Sequence, residues 1–253
     1  MIITGAASGI GYEAARLAFD AGAAVAMLDI DAAGLQVARE RLGAAADPAR
    51  LHQEVLDVGD EAAVAAAFER CAAALGPCAG LFAAAAIERN GLAHEMSSAT
   101  FDEVIATNVR GAFLCSRAAI AQMLGAEIGG SVVLVASTFA RTAAPAITAY
   151  GTSKGAVCAL ARSLAIDYAA YGIRANALLP GPTDTPLMWQ GMSPQQVAEV
   201  RESIAAEVPL GRLAKPAEPA AAGLWLLSEQ ASYVTGAELP CDGGVLAHSS
   251  VSV

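Results

Sequence analysis

Ile2-Ile3-Thr4-Gly5-Ala6-Ala7-Ser8-Gly9-Ile10-Gly11 opens the chain with a strand end, a glycine turn and a helix start, in that order. Ile2 to Thr4 are the β-prone residues, and behind the turn Ile10, Ala14, Leu17, Ala18 and Ala21 recur at helical spacing. Backbone N–H groups at such a helix start, aided by the helix dipole, can hold a pyrophosphate. Gly5, Gly9 and Gly11 follow a GxxxGxG spacing rather than GxGxxG. The dinucleotide pattern is therefore met in its strand–turn–helix context but not in letter.

Working outward, residues 24–29, 51–55, 80–84, 131–137, 174–179 and 238–242 read as further strands. Helical stripes separate them, among them Leu35, Ala38 and Leu42, then Val64, Phe68, Cys71 and Leu75. Longer helices are predicted over 100–124 and 149–171, and a last one over 216–228. Strands alternating with helices and no linker or repeat predict an α/β protein built on one doubly wound parallel sheet, Rossmann-like, with 1–253 as a single domain. Residues 183–208, rich in Pro and Met near their start, break the pattern and read as a substrate-lid insertion.

The 253 residues are 55% hydrophobic and 16% charged, which provides a core and excludes a disordered chain. A net charge of −10 disfavours nucleic acid and anionic membrane surfaces. No apolar run approaches the roughly 18 residues of a spanning helix, and the start of the chain lacks the basic and apolar regions of a signal peptide. Five cysteines show no CxxC spacing, and His52, His94 and His248 lie far apart. Neither a metal site nor a disulfide framework is expected, and free thiols in a cytoplasmic protein fit better.

A second constellation surrounds Tyr150-Gly-Thr-Ser-Lys154, after the strand that ends at Ser137. Four residues apart on a helix, the phenol and the ammonium are neighbours. A tyrosine must come down from about 10 to about 7 to serve as a base, a preference for phenolate of about 4 kcal/mol. A lysine cation one turn away supplies charge of the right sign, and Ser137 can donate to a substrate oxygen. An ordinary surface pair is the bland alternative. Asn108 falls on the buried stripe of Phe101, Val104, Ile105, Ala112 and Cys115, where an amide must be hydrogen-bonded. It either serves the site or ties backbone together. Asp29, ending the second strand, can accept ribose hydroxyls, with Asp31 or a neighbour capping the next helix.

Together these residues resemble the short-chain dehydrogenase/reductase family over residues 1 to about 247. Thr4-Gly5-Ala6-Ala7-Ser8-Gly9-Ile10-Gly11 is similar to its TGxxxGIG, and Asp57-Val58 to its adenine-contacting pair. Asn108, Ser137, Tyr150 and Lys154 match its catalytic tetrad. Pro180-Gly181 with Thr183 and Thr185 matches the segment closing on nicotinamide, and Tyr233-Val-Thr-Gly236 and Asp242-Gly-Gly244 its C-terminal signature. Two departures stand out: Ala83-Ala84-Ala85-Ala86 replaces NNAG, and Leu179 replaces the asparagine before Pro180.

The resemblance implies that Tyr150 is the acid/base and that Lys154 holds the nicotinamide ribose and lowers the tyrosine pKa. Ser137 would bind the substrate oxygen, and Asn108 would hold a water linking Lys154 to solvent. The implied cofactor is NAD, bound by Gly5, Ser8, Gly9, Ile10, Gly11, Asp29, Ile30, Asp57, Val58, Ala83, Ala85, Tyr150, Lys154, Pro180, Gly181, Thr183 and Thr185. Ser8 and Ile30 stand where NADP-preferring relatives often carry Arg or Lys. Ser137, Phe139, Met188 and Trp189 line the expected substrate site. A small or medium apolar secondary alcohol or ketone, a cyclic one included, fits them. No cationic residue of the lid points to a phosphate or coenzyme A handle.

Rival readings are an NADPH-dependent ketoreductase and a non-catalytic NAD-binding regulator on the same fold. Ala156-Val-Cys-Ala-Leu-Ala161 is apolar on every face, which predicts a partner subunit on that helix. A homotetramer is expected, with a homodimer as the smaller assembly.

Overall fold

Seven strands, β1 (Ile2–Thr4), β2 (Val25–Asp29), β3 (Leu51–Val55), β4 (Gly80–Ala83), β5 (Gly130–Val135), β6 (Ile173–Pro180) and β7 (Glu238–Cys241), pair in parallel in the order β3-β2-β1-β4-β5-β6-β7. This computed structural model describes residues 1–43, 47 and 49–248; residues 249–253 of the predicted domain lie outside them. The doubly wound parallel sheet expected from the alternation is therefore present.

Period-two alternation along the strands divides the core in two. Ile2, Ala26, Leu28, Leu81, Val132 and Leu134 face Phe68 of α3 (Glu61–Leu75), Leu114 and Met123 of α5 (Gly111–Gly125) and Val157 of α6 (Thr148–Tyr168). Ile3, Val25, Met27, Phe82 and Val133 face Ala15 and Phe19 of α1 (Gly9–Asp20), Leu35 of α2 (Ala32–Arg41) and Leu226 of α8 (Ala217–Leu227). Burial on both faces explains why these strands read as continuous apolar runs.

Three differences from the predicted elements have physical causes. The helix expected over 100–124 is α4 (Ser98–Ile105), a π-turn (Ala106–Arg110) and then α5, so one residue more is fitted into the turn that carries Asn108. Such turns accommodate a side chain with its own hydrogen-bonding demands. The helix expected to reach Tyr171 ends at Tyr168. A 3₁₀ turn follows, and Gly172 (φ 69°) stops it in the left-handed region. Residues 183–208 contain a helix of their own, α7 (Pro194–Glu207), opened by a capping box between Ser193 and Gln196.

Candidate active site

The predicted cofactor residues meet at the C-terminal ends of the parallel strands, beside the β1–β4 switch point where ligands enter such sheets. Asp31, Asp60 and Ser97 cap α2, α3 and α4 through their side chains, but Ser8 makes no such bond at α1. The first-turn amides of α1 are thus left for another acceptor. Glycine is required beneath them: a Cβ on Gly11 would lie 2.1 Å from the Gly5 carbonyl oxygen. Across the turn, a Cβ on Gly9 would stand 3.3 Å from Thr185 Cγ2, so the loop and the Thr183–Thr185 stretch face one another. This cradle fits a dinucleotide pyrophosphate.

Asp31 is the cap of α2, accepting from Gly34 N (3.0 Å), as expected. Asp29 accepts from Ala7 N at 2.9 Å with Oδ2 and from Asp31 N at 3.0 Å with Oδ1. Its carboxylate is thereby fixed against the glycine loop, and each oxygen retains a lone pair for a ribose hydroxyl. Ile30 is 68% exposed beside it. Asp57 is exposed and turns its carboxylate to Gly59 N, while Val58 is buried. Residues 83–86, which end and follow β4, are all alanine and supply no asparagine side chain. Thr4 does the pinning instead: its carbonyl accepts from Ala84 N (3.2 Å) and its hydroxyl from Ala85 N (3.3 Å).

Asn108, Ser137, Tyr150 and Lys154 are all buried. The Asn108 amide accepts from Ile87 N (2.8 Å) and donates to Ile87 O (2.9 Å) and to the Ser153 hydroxyl (3.0 Å). Ser153 in turn donates to the Tyr150 carbonyl (2.7 Å). One side chain therefore ties the loop after β4 to the turn of α6 that carries the tyrosine. The Ser137 hydroxyl accepts from Phe139 N (3.1 Å), which leaves its own proton free to donate. Phe139 meets the Tyr150 ring edge-on, 6.4 Å between centroids. Pro180 and Gly181 end β6, with Gly181 N on the Cys241 carbonyl (3.0 Å) and Thr183 Oγ1 on the Gly181 carbonyl (2.9 Å).

One expectation is corrected. Lys154 does not bring the phenol toward neutrality in this structure. Burial pushes Tyr150 above its ordinary value, the Glu88 carboxylate adds to the rise, and the Ser137 side chain opposes it. The Lys154 ammonium donates to the Val135 carbonyl (2.8 Å) and lies 5.3 Å from the Tyr150 ring centroid. Burial also lowers Lys154 to about 8, against the nearby Cys158 and Glu88. Desolvation outweighs the pairwise attraction because both groups sit inside the protein. At neutral pH the pair therefore holds a proton on the phenol.

Trp189 and Met188, expected to meet substrate, are half-buried. The Trp189 indole donates to Asp184 (2.7 Å) and lies 5.0 Å beneath the Arg201 guanidinium, which is bidentate on Asp184 at 2.6 and 2.7 Å. Arg201, a cation of residues 183–208, is thus engaged within that segment. Sequence reasoning missed Ser153, Glu88, the pinning of the loop after β4 by Thr4, and the pairing of Trp189 with Asp184 and Arg201. Only Ser153, one helical turn from Tyr150, carried a local signal.

A family model described as enoyl-(acyl carrier protein) reductase matches residues 5–246. Cis-4-hydroxycyclohexanecarboxylate dehydrogenase of Sinomonas cyclohexanicum is 40% identical over 250 residues, 97% of this chain and 96% of its own. The structure of levodione reductase superposes with a TM-score of 0.91 at 32% identity, covering 98% of this chain and 97% of its own. That of 3-ketoacyl-(acyl-carrier-protein) reductase from Brucella melitensis, complexed with NADH, gives 0.85 at 32% identity, covering 96% of each chain. Joined to the glycine cradle and the buried Asn108, Ser137, Tyr150 and Lys154, these likenesses settle the family: the chain belongs to the short-chain dehydrogenase/reductases, a family of oxidoreductases.

Proposed function

We propose that the protein interconverts a secondary alcohol and its ketone with NAD, using Tyr150 as acid/base. The observation that carries this is the buried Ser137–Tyr150–Lys154 group, which follows β5 on the same C-terminal side of the sheet as the glycine cradle after β1. When bound, the nicotinamide supplies the hydride chemistry; the protein supplies position and protons. Ser137, its oxygen already accepting from Phe139, donates to the substrate oxygen. Tyr150 hands its proton to a ketone oxygen, or takes one from an alcohol. Lys154, cationic below about pH 8, holds positive charge beside that exchange. Asn108 keeps Ile87 and the Tyr150 turn in register. The proton held on the phenol favours ketone reduction at neutral pH, with alcohol oxidation gaining as pH rises.

NAD rather than NADP follows from Asp29. A 2′-phosphate would lie against its carboxylate, at a cost of about 1 kcal/mol in water and about 4 kcal/mol at an effective dielectric of 20 for each unit pair 4 Å apart. No basic residue in 5–11 or 29–35 offsets this. The apolar Phe139 and Met188, and the cyclic alcohol named for the Sinomonas relative, support a cyclic substrate. We also propose a homotetramer. Thr152, Ala159 and Ile166 (79% exposed) share one outer face of α6, and Phe113 of α5 is 43% exposed. A second copy covers such a face most simply. Light scattering showing a monomer at micromolar concentration would refute the assembly.

The test of function is a panel of secondary alcohols and ketones, followed by reduced-nicotinamide absorbance with each cofactor. Turnover with NAD preferred over NADP is expected. Tight NAD binding with no turnover of any member would overturn the enzymatic assignment in favour of a binding protein.

A further inference from the structure

Two residues other than glycine, Glu127 (φ 54°) and Ala146 (φ 64°), lie in the left-handed region among the described residues. Glu127 has an ordinary reason. It follows the C-terminal end of α5, where its N–H bonds the Leu124 carbonyl and Ile128 N the Met123 carbonyl, a common way of stopping a helix. Ala146 ends no helix. It stands two residues before α6 and four before Tyr150. An L side chain keeps this conformation only where its surroundings over-determine it.

What holds Ala146 is Gly91. The Gly91 N–H donates to the Ala146 carbonyl at 2.8 Å, and Gly91 pairs in parallel with Ile147 in a bridge outside the named strands. The bond matters because α6 begins without a side-chain cap at Ile147, whereas α2, α3, α4 and α7 each begin on a side-chain oxygen. The start of α6 is set instead by backbone alone. Gly151 N closes the first turn on the Ile147 carbonyl (2.8 Å), and the Gly91 bond holds the residue just upstream. Tyr150 lies within that turn. Residues 87–91 therefore brace it from both sides. Gly91 acts upstream through Ala146, and Ile87 downstream through Asn108 and Ser153, which reaches the Tyr150 carbonyl.

We propose that Ala146 and Gly91 are positioning residues for Tyr150. The bond between them fixes the first turn of α6, and with it the point at which the phenol meets the substrate oxygen. This rests on the acid/base role of Tyr150 proposed above and extends it to two residues that need not touch substrate. A displacement of about 1 Å at a reacting group costs about a hundredfold in rate. The glycine loop after β1 is not part of the brace, so cofactor binding is spared.

The test is a graded series at Ala146 and a donor deletion at Gly91. Ala146→Gly and Ala146→Asn accept the left-handed conformation, and Ala146→Val, β-branched, opposes it. Gly91→Ala keeps the N–H, and its Cβ would meet nothing nearer than Met96 Cε at 3.6 Å; Gly91→Pro removes the N–H. With the alcohol turned over fastest in the panel above, kcat should stay within threefold of wild type in Ala146→Gly, Ala146→Asn and Gly91→Ala. It should fall at least tenfold in Ala146→Val and Gly91→Pro. NAD affinity and the number of NAD sites per chain, by fluorescence titration, should be unchanged in all five. Coupling to the phenol is the signature that a merely structural role would not give. Added to Tyr150→Phe, Ala146→Val and Gly91→Pro should each change residual turnover less than twofold, because the hydroxyl they aim is gone. If one of the two folds poorly, shown by lost NAD sites, the other decides. Loss of NAD sites in both, in step with kcat, would make the pair a folding element and overturn the proposal. Equal losses with and without the tyrosine hydroxyl, or kcat within threefold in all five, would overturn the positioning role alone. Turnover of no alcohol or ketone by wild type would overturn the function and this inference together.

Discussion

Asn108, Ser137, Tyr150 and Lys154 are each at most 9% exposed, with the Asn108 amide tied to α6 and the loop after β4 and the Lys154 ammonium to β5, whereas α7, in the segment after β6, has no buried residue. The floor of the site is core, and its hydrogen bonds are made where desolvation makes their loss expensive. The segment after β6 is surface, fastened at its base where Asp184 N meets the Ala214 carbonyl and Ala214 N the Pro182 carbonyl, both 2.9 Å. Farther out it is held by Arg201 on Asp184. Chemistry and specificity are thus placed on parts of the molecule with different stiffness. Changes in the floor should alter rate and stability together; changes in the outer segment should alter substrate affinity.

The largest expected effect lies in the floor. Tyr150→Phe removes the exchangeable proton and little else, because Phe fills the same space against Phe139. A fall in kcat of about 10² to 10⁴ is expected from the loss of a positioned acid/base, with cofactor affinity near wild type by fluorescence titration. Activity retained within about tenfold, roughly 1.4 kcal/mol of barrier, would remove Tyr150 from the acid/base role.

Asn108→Ala comes next and tests whether the floor is a single unit. It leaves Ile87 N and O without their partner and Ser153 without a donor, at about 1–3 kcal/mol for each unsatisfied group. Unfolding free energy should fall by about 2–4 kcal/mol in urea titration, with reduced kcat. Full stability would mean that water replaces the amide and that the clamp is not structural.

How much of this was legible in the sequence depended on how local the cause was. The glycine turn, Asp31 as a cap and the strand–helix alternation rest on neighbouring residues, and the structure bears them out. The seven-stranded parallel order follows from the same local signals through chain connectivity. The π-turn was not legible, because its cause is an amide whose partners, Ile87 and Ser153, come from two distant segments. The acidity of Tyr150 went the wrong way for a related reason. Helical spacing reports that Lys154 is near, but not that β5 and α6 together bury both groups. Glu88 and the Arg201–Asp184 pair likewise depend on which charges the fold brings together.

Alkaline pH should separate the buried interior from the surface again. Burial raises Cys71 and Cys115 to about 12 and Cys158 to about 11, from 9.0. Above pH 9 the unfolded chain ionises these thiols while the folded one does not, so stability is lost as pH rises. Lys154 acts oppositely. The native state sheds that proton near 8 and the unfolded one near 10.5, so stability grows between those values. The sum is a stability maximum near pH 9 and a decline of about 1–3 kcal/mol per pH unit above it. Thermal denaturation from pH 7 to 10.5 checks this, and a flat profile above pH 9 would show that the thiols are not desolvated in solution.

A smaller effect is expected at the cofactor's edge. Asp29→Ala should narrow the NAD-over-NADP ratio of kcat/KM by at least tenfold, mostly by admitting NADP. The same change removes acceptors from Ala7 N and Asp31 N, so some loss of NAD affinity accompanies it. Equal or better efficiency of the wild type with NADP would contradict the electrostatic account.

The smallest effect belongs to the outer segment. Arg201 and Asp184 are 43% and 39% exposed in their side chains, and pairs of that kind contribute about 0–1 kcal/mol. Here the guanidinium is bidentate and stacks over Trp189, whose indole also bonds Asp184, which places it at the upper end of that range. Arg201→Ala should therefore leave the melting temperature nearly unchanged, because no residue of α7 is buried in the core. Its consequence should be a looser Asp184–Trp189 turn next to Thr185, which faces the glycine loop. A rise in substrate KM of about threefold to fivefold, the equivalent of roughly 1 kcal/mol, with kcat within twofold is the expected signature. A fall in kcat as large as that of Asn108→Ala would mean that the outer segment organises the chemistry itself, and the division between stiff floor and loose cover would not hold.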